Sequence, residues 1–241
     1  MNNVKAVILA GGSGKRLGGD APKPLAVAGG KPLLAHVLDA LDFIPLEDAI
    51  IVVGYKRKMV IDAFPDCVFA VQEQQLGTGH AVGCAEPLLR DFDGSVLVCY
   101  GDMPLISRAT YEAMLAHHVS EGNDCTMLTG VLENPFGYGR IKRDADGSFA
   151  AIVEEKDCTP QERKITEINV GIYVFDARQM LAALCNLQNN NAQGEYYLTD
   201  APLIIARGGG RVGIVKRDLG DELLGVSTAD DLARIDAILR G

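Results

Sequence analysis

The sequence predicts a protein of the α/β class, in which a mostly parallel mixed sheet is flanked by helices. Short apolar runs bounded by glycine, typical of buried strands, recur along the first half of the chain. Stretches in which apolar residues recur at helical spacing separate these runs. Strands separated by helices favour parallel pairing through right-handed crossovers, because each helix must pack back onto the sheet.

The individual elements are predicted from the placement of apolar residues. Val4 to Leu9 forms the first strand, and the leucines and valines after Pro32 recur at the spacing of a helix whose first turn tolerates proline. A final amphipathic helix is predicted to begin at Thr228, where two aspartates suit its positive end. Between them we predict a short helix near 56–64 and strands at 49–53, 67–71, 95–99, 152–153 and 170–175. The arrangement is that of a Rossmann-like sheet.

Composition places the chain among ordinary globular proteins. Of its 241 residues, 48% are hydrophobic and 23% are charged, and no apolar run approaches the roughly 20 residues that span a bilayer. The net charge of −9 argues against broad binding to nucleic acid or to an anionic membrane. The N-terminus lacks the features of a signal peptide, and the six cysteines form no C-x-x-C pair. We therefore expect a cytoplasmic protein with reduced thiols.

A glycine-rich loop follows the first strand, at the strand end where ligands gather in open α/β sheets. Residues 9–25 read LAGGSGKRLGGDAPKPL. Glycines let the backbone approach phosphates closely and turn its N–H groups toward them. Lys15, Arg16 and Lys23 add three cations to an otherwise acidic chain, and a proline on each side of Lys23 stiffens the backbone there. The loop therefore suits a triphosphate, and a flexible basic surface turn is the alternative.

Two common phosphate-binding signatures do not occur in this loop. The Walker A string G-x-x-x-x-G-K-[ST] is absent from the sequence. The dinucleotide signature G-x-G-x-x-G fails because Leu17 stands where its last glycine should be. The loop therefore argues against an NAD-dependent enzyme.

A carboxylate follows the strand predicted at 95–99. Asp102 stands at the end of that strand, which faces the ligand crevice in a parallel sheet. Mg²⁺ prefers carboxylate and phosphate oxygens and usually takes one or two protein ligands. Asp102 is therefore the candidate metal ligand, and a cap for the helix predicted at 107–118 is the alternative.

Taken together, strings along the chain resemble the sugar-nucleotide pyrophosphorylases, and most closely the N-terminal uridylyltransferase half of the bacterial bifunctional N-acetylglucosamine-1-phosphate enzymes. They span nearly the whole chain in the order of that family. The strings are LAGGSGKR at 9–16, PKPL at 22–25, QEQQLGTGHAV at 72–82, YGDMPLIS at 100–107, NPFGYGRI at 134–141, IVEEKDCT at 152–159, EINVGIY at 167–173 and NNNAQGEYYLTD at 189–200. We expect one domain of nucleotide-diphospho-sugar transferase type over 1–241, with a nucleotide-binding half at about 1–125 and a sugar-binding half at about 126–241.

The resemblance also implies roles for individual residues, each of which taken singly would be an ordinary polar or turn residue. The catalytic set would be Arg16, Lys23 and Asp102, in which the two cations hold the triphosphate and Asp102 holds Mg²⁺. Gln72 and the backbone of Gly77 would read the uracil edge. The full nucleotide-binding set is Leu9, Ala10, Gly11, Gly12, Lys23, Gln72, Gly77 and Thr78. The sugar-binding set is Tyr100, Gly101, Gly139, Glu154, Lys156, Asn169, Tyr197 and Thr199.

Two features depart from that family. The bifunctional enzymes carry asparagine in a G-V-N-N string as the second metal-binding residue, and this chain has Ser227 in GVST at 225–228. A hydroxyl is a poorer Mg²⁺ ligand than an amide or carboxylate oxygen. We therefore expect Ser227 to bind the metal directly or through water, a neighbour such as Asp230 to compensate, or catalysis to be impaired. The chain also ends at Gly241, without the family's β-helix, so we expect no acetyl transfer, no β-helix trimer, and a monomer or weak oligomer.

The resemblance implies a uridylyltransferase that makes UDP-N-acetylglucosamine and pyrophosphate from UTP and N-acetylglucosamine 1-phosphate, with Mg²⁺ as cofactor. The sugar phosphate would attack the α-phosphorus in line, and positioning and charge neutralisation would carry the catalysis. Transfer to another sugar 1-phosphate and a non-catalytic sugar-nucleotide sensor are the alternatives. No nucleic acid or membrane is expected among the partners.

Overall fold

A computed structural model describes residues 3–12, 14, 17 and 21–241, which form eleven strands and eight α-helices. The strands are β1 (Val4–Leu9), β2 (Val27–Ala28), β3 (Lys31–Pro32), β4 (Ala49–Val53), β5 (Val68–Val71), β6 (Ser95–Tyr100), β7 (Cys125–Val131), β8 (Arg140–Arg143), β9 (Phe149–Val153), β10 (Glu167–Asp176) and β11 (Val212–Lys216). The helices are α1 (Leu33–Ala40), α2 (Arg57–Ala63), α3 (Thr78–Gly83), α4 (Glu86–Leu89), α5 (Arg108–Glu121), α6 (Ala177–Leu184), α7 (Ala201–Arg207) and α8 (Ala229–Arg240).

Nine strands form one sheet, whose central path runs β11-β7-β10-β6-β1-β4-β5. Pairing is parallel along β6-β1-β4-β5 and between β7 and β11, whereas β10 lies antiparallel between β6 and β7. β8 and β9 extend from β10 as an antiparallel pair. The predicted mostly parallel mixed sheet is therefore confirmed. The strands β7, β8 and β11 were not predicted, because glycine, threonine and charged residues interrupt their apolar pattern.

β1, which lies between β6 and β4 in the sheet, is buried on both faces. Ala6 and Ile8 belong to a core cluster with residues of α1 and α5, and Val7 belongs to a second cluster with residues of α3 and α6. A strand covered on both faces reads as a continuous apolar run, which is why β1 could be predicted with its exact limits. No helix in the described ranges is long and apolar enough to cross a bilayer.

The predicted final helix begins as the sequence suggested. Thr228 caps α8, and its hydroxyl accepts a hydrogen bond from the Asp231 amide over 3.2 Å. The Asp231 carboxylate in turn accepts hydrogen bonds from the amides of Thr228 (2.7 Å) and Ser227 (2.9 Å). This capping box satisfies backbone donors that the helix itself leaves free. The loop just before α8 is thereby held in one conformation.

An irregularity in β10 brings Gly171 against the ring of Tyr100. The register of β10 against β7 shifts between Asn169 and Tyr173, and Gly171 within the break has φ +87°. A Cβ added at Gly171 would lie 2.5 Å from Cε2 of Tyr100 on β6. Only glycine therefore allows the Tyr100 ring to lie against this part of β10.

We expect Gly171→Ala to destabilise the fold more than Gly147→Ala, although the backbone φ values are nearly equal at +87° and +86°. Gly147 has nothing within 4 Å of an added Cβ, so its substitution should cost only the left-handed backbone, about 1–2 kcal/mol. Gly171→Ala adds the clash with Tyr100, which should cost about 1–3 kcal/mol more. Urea denaturation of both variants measures the difference, and equal losses would refute the packing argument.

Candidate active site

The candidate site lies where β1 and β6 end side by side. Leu9 is in register with Tyr100, and the amide of Gly101 donates to the Leu9 carbonyl over 3.0 Å. Because the two strands are parallel, the glycine-rich loop after β1 and Asp102 after β6 leave the sheet at the same edge. The spacing of these two segments is thus set by the sheet itself.

The first cavity, here called the glycine-loop cavity, has a volume of about 280 Å³. All eight residues predicted to bind nucleotide line it: Leu9, Ala10, Gly11, Gly12, Lys23, Gln72, Gly77 and Thr78. Gly101 and Asp102 also lie on its wall. Pro24, Gln75, Ala81 and Glu195 also line this wall although we did not predict them as site residues. Each falls within one of the strings that carried the resemblance.

The second cavity, here called the β10 cavity, has a volume of about 560 Å³ and adjoins the first. Tyr100 and Asp102 line both cavities. The predicted residues on the wall of the β10 cavity are Tyr100, Asp102, Gly139, Glu154, Asn169, Thr199 and Ser227. Residues separated by more than 120 positions thus meet in one crevice with Tyr100 and Asp102 at its boundary. Gly101, which was predicted for the sugar, lies on the glycine-loop cavity and not on the β10 cavity.

An ion pair joins the two predicted catalytic groups. The Lys23 ammonium contacts the Asp102 carboxylate, and their side chains are 18% and 23% exposed. Lys23 begins a single 3₁₀ turn, Lys23–Leu25. The prolines on each side of Lys23 restrict its backbone at the cavity wall. Arg16, the third predicted catalytic residue, lies outside the described residues.

Asp102 is not the cap of the following helix. Ser107 caps α5, and its hydroxyl accepts from the Thr110 amide over 3.3 Å. The Asp102 carbonyl instead accepts from the amide of Val226 over 3.0 Å, which brings the loop before α8 beside it. The carboxylate is therefore available to the cavities, where it meets Lys23.

The wall predicted to contact a base is built from a tight turn. Gly77 has φ +113°, and a Cβ there would lie 2.5 Å from the Tyr196 carbonyl oxygen. Its own carbonyl accepts from Nε2 of Gln72 over 3.0 Å. Gln75 donates from Nε2 to the Gly11 carbonyl over 2.9 Å, which ties this wall to the glycine-rich loop. These contacts give the cavity a rigid polar side.

The predicted sugar residues on the β10 cavity are themselves hydrogen-bonded. Thr199 donates from Oγ1 to Oε1 of Glu154 over 3.0 Å. The side chain of Asn169 donates from Nδ2 to the Tyr173 hydroxyl over 2.7 Å. Its backbone N–H donates to the Gly139 carbonyl over 2.9 Å. Burial raises the pKa of the Glu154 carboxyl above its usual value, although the bond from Thr199 opposes the shift. The site thus holds a carboxyl and an amide in fixed orientations.

Two residues predicted for the sugar line neither cavity. Lys156 donates from Nζ to Oε1 of Gln193 over 2.5 Å, and Gln193 donates from Nε2 to the Tyr197 hydroxyl over 2.9 Å. Tyr197 lies instead on a smaller cavity beside Asp157. Both side chains therefore contact Gln193 and lie outside the two cavities. Their role in binding the sugar stays a prediction.

The candidate metal position has few protein oxygens. Ser227 and Asp231 line the β10 cavity together with Asp102, whereas Asp230, the neighbour expected to compensate for Ser227, is exposed and lies on neither cavity. The carboxylate that lines this cavity beside Ser227 is instead that of Asp231, whose Oδ2 already accepts from two amides. Within the described ranges no three His, Cys, Asp or Glu side chains cluster as a metal site. A site with one or two carboxylates fits Mg²⁺, which completes its shell with water and phosphate.

Sequence reasoning missed two residues that build this crevice. Phe136 lies on the rim of the β10 cavity and is 75% exposed, and it falls within the string NPFGYGRI. Glu222 accepts from the Ser107 amide (3.0 Å) and from the Thr110 hydroxyl (2.7 Å), and so ties the loop after β6 to the loop before α8. No local pattern indicates Glu222, because its partners lie more than 110 positions away.

An open sheet with a glycine-rich loop and a carboxylate at adjacent strand ends defines the nucleotide-binding class of α/β proteins. A family described as the MobA-like NTP transferase domain matches residues 6–167. The chain belongs to this family, and it is an enzyme of the nucleotidyltransferase type.

Curated relatives match along the whole chain. It is 43% identical to the bifunctional protein GlmU of Caldanaerobacter subterraneus, covering 100% of this chain and 52% of that protein. It is 44% identical to the protein of the same name from Geobacillus thermodenitrificans, covering 98% of this chain and 51% of that protein. The chain thus spans about half the length of these relatives.

A solved structure shares the fold. It is a Bacillus anthracis protein named as a glucose-1-phosphate thymidylyltransferase and crystallised with sucrose, with a TM-score of 0.75 and 21% identity. The match covers 98% of this chain and 95% of that one. At this level of identity the likeness concerns the fold alone.

The raised pKa of Glu154 gives stability a predictable dependence on pH. The native state binds this proton more tightly than the unfolded chain, so the free energy of unfolding falls as pH rises through the raised pKa. Glu154→Gln removes the titration and keeps an oxygen for Thr199. The free energy of unfolding of wild type minus that of Glu154→Gln should therefore fall as the pH rises from about 4 through the raised pKa of Glu154.

Urea denaturation at several pH values measures this difference. Glu133→Gln, at an exposed position in the loop after β7, is the matched control. A difference that rises with pH for Glu154→Gln would contradict the assignment.

Proposed function

We propose that this chain transfers a uridylyl group from UTP to N-acetylglucosamine 1-phosphate, giving UDP-N-acetylglucosamine and pyrophosphate. The observation that carries the proposal is the meeting of two cavities at the Lys23–Asp102 ion pair. The glycine-loop cavity would take the nucleotide, and the β10 cavity would take the sugar phosphate. Their common boundary is where the reacting phosphates would meet. The assignment follows the division into a nucleotide half near 1–125 and a sugar half near 126–241.

The reaction needs no side-chain nucleophile. An oxygen of the sugar phosphate attacks the α-phosphorus of UTP, the new P–O bond forms, and the bond to the leaving pyrophosphate breaks. Lys23, and Arg16 as the second proposed cation, neutralise charge that builds on the leaving group. Holding both phosphates in line supplies much of the rate. The site therefore works by position and charge.

Mg²⁺ is the proposed cofactor. Asp102 would hold it, with Ser227 and Asp231 as the nearest oxygen groups on the same wall. The bound cation would supply positive charge to the triphosphate. Lys23 pairs with Asp102, and its ammonium would move from that carboxylate to a phosphate when the nucleotide and Mg²⁺ bind.

The walls of the two cavities suit the two substrates. Gln72 is only 6% exposed and would contact the base together with the backbone of Gly77, which lines the same cavity. Glu154 and Asn169 would bind hydroxyl and acetamido groups of the sugar, because both are held in place by their own partners. Tyr100 would separate the two substrates.

Two other functions are the alternatives. The first is nucleotidyl transfer with a different nucleotide and sugar 1-phosphate on the same fold. Ser227, at the position of a family metal ligand, favours a sensor that binds sugar nucleotides without turnover. The partners we propose are the two small-molecule substrates only, with the chain a monomer or weak oligomer in the cytoplasm.

Pyrophosphate release tests the proposal directly. The protein is assayed with Mg²⁺ and UTP, with and without N-acetylglucosamine 1-phosphate, and then with glucose 1-phosphate and with other nucleotides. Release that requires UTP and the amino sugar phosphate supports the proposal. Faster release with another pair supports the first alternative, and binding of UTP without release from any pair supports the sensor.

Lys23→Ala should lower kcat/KM by about 100-fold or more, because it removes a charge next to the leaving group. Its effect on the free energy of unfolding should be about 2 kcal/mol, because the Asp102 carboxylate that loses its partner is mostly buried but still reaches solvent at the cavity wall. Lys58→Ala is the matched control, because it breaks the exposed Lys58–Asp62 ion pair (2.7 Å) on α2. An unfolded Lys23→Ala protein, or an unchanged rate, would count against the assignment.

Ser227→Asn should lower the Mg²⁺ concentration for half-maximal rate by about three- to tenfold, since an amide oxygen binds Mg²⁺ better than a hydroxyl. Titration of the rate with Mg²⁺ at fixed UTP measures the change. Ser120→Asn, at an exposed position on α5, is the control. An unchanged Mg²⁺ dependence would remove Ser227 from the metal site.

A further inference from the structure

The side-chain amide of Gln72 is held by two partners that lie on one side of it. Its Nε2 lies 3.0 Å from the Gly77 carbonyl oxygen and 3.1 Å from Nδ1 of His80. Gln72 is buried on the wall of the glycine-loop cavity, with only 6% of its surface exposed. Both protons of the amide nitrogen are therefore used inside the protein.

The chemistry of these partners allows one orientation of the amide. A carbonyl oxygen can only accept, so the Gln72 group that faces Gly77 must be the donating nitrogen. An amide nitrogen cannot accept, so Nδ1 of His80 must accept the second proton. His80 is then a neutral imidazole with its own proton on Nε2. The rotated amide would bring two oxygens together at Gly77, which is unfavourable.

The oxygen of Gln72 is left as the free end. It points toward the glycine-rich loop, where it would lie 3.3 Å from a Cβ built on Gly11. No group in the described part of the chain donates a hydrogen bond to this oxygen. The cavity wall thus presents a fixed acceptor to whatever base enters.

His80 itself does not line the glycine-loop cavity. It lies on a separate cavity of about 330 Å³ with Leu184 and Leu187, behind the turn at Gly77. Among the described residues, the side-chain hydrogen bond that joins His80 to the wall of the glycine-loop cavity is the one with Gln72. This makes His80 a positioning residue.

We propose that His80, by holding the Gln72 amide in this orientation, makes the site select uracil over cytosine. The proposal rests on the uridylyltransferase function and deepens it. Uracil carries an N3–H donor, which a fixed acceptor oxygen can bind. Cytosine carries a bare N3 acceptor, which the same oxygen repels. Without His80, the amide loses one of the two partners that oppose rotation, and a rotated amide would offer its nitrogen to cytosine.

The test compares three substitutions at one position. His80→Leu removes the acceptor. His80→Asn places an amide oxygen on Cγ, the atom that carries Nδ1 in histidine, whereas His80→Gln places its amide one carbon further from the backbone. For each variant, kcat/KM for UTP and for CTP is measured with N-acetylglucosamine 1-phosphate. We expect His80→Leu and His80→Gln to lower the ratio of kcat/KM for UTP to that for CTP by about tenfold, which is the effect of one hydrogen bond. We expect His80→Asn to keep most of the wild-type ratio.

The UTP/CTP ratio of kcat/KM distinguishes a positioning role of His80 from a general structural role. Equal losses with both nucleotides would overturn the proposal, as would a low ratio in His80→Asn together with unchanged thermal unfolding. Where His80→Leu does not fold, the comparison of His80→Asn with His80→Gln decides. If wild type turns over no substrate pair, the uridylyltransferase function fails by itself. Binding of UTP and CTP to the same variants by calorimetry then still tests the role of His80.

Discussion

The parallel pairing of β1 with β6 is the constraint on which the candidate site depends. Their register places Leu9 opposite Tyr100, and the bond from Gly101 to Leu9 extends the pairing past the strand ends. The glycine-rich loop and Asp102 cannot separate without breaking this central pair, which is buried on both faces. The pairing fixes Asp102 at this edge of the sheet, and Lys23 contacts its carboxylate there.

A second constraint joins the two cavities through one aromatic ring. Tyr100 lies at the end of β6 and lines both cavities, and it packs against Gly171 where β10 departs from regular register. A bulge or break in a strand next to a site re-aims side chains there. In this protein the break directs Asn169 into the β10 cavity and leaves space for the ring. The shape of the proposed sugar side therefore depends on backbone geometry as much as on polar groups.

Polar side chains behind the walls hold the functional groups in place. Glu222 links the two loops that carry Asp102 and Ser227, and the capping box at Thr228 fixes the start of α8 beside them. His80 performs the corresponding task for Gln72. These supporting residues restrict the rotation of the groups that would meet a substrate. Such pre-organisation is what a reaction based on position and charge requires.

Much of the fold was predictable where local pattern and tertiary environment agree. The buried strands β1 and β4 have continuous apolar runs, and α8 has a capping signal, so their limits followed from the sequence. Strands such as β7 and β11 carry threonine, glycine and charge, and only their pairing in the sheet makes them strands. For the site, the residues of the glycine-loop cavity were predictable because they lie in short strings next to strand ends. These residues line one cavity, and their role in binding a nucleotide stays a prediction.

By itself, the sequence determined the fold class and the family, because these depend on apolar periodicity and on local strings. It also predicted the chemical groups that would meet a nucleotide. The tertiary structure decided which distant groups support one another. It placed Asp231 rather than Asp230 on the cavity, turned Lys156 and Tyr197 toward Gln193, and brought His80 and Glu222 behind the walls. The physical reason is that a hydrogen bond between distant positions depends on how the sheet brings its strands together. Such a contact leaves no periodic trace along the chain.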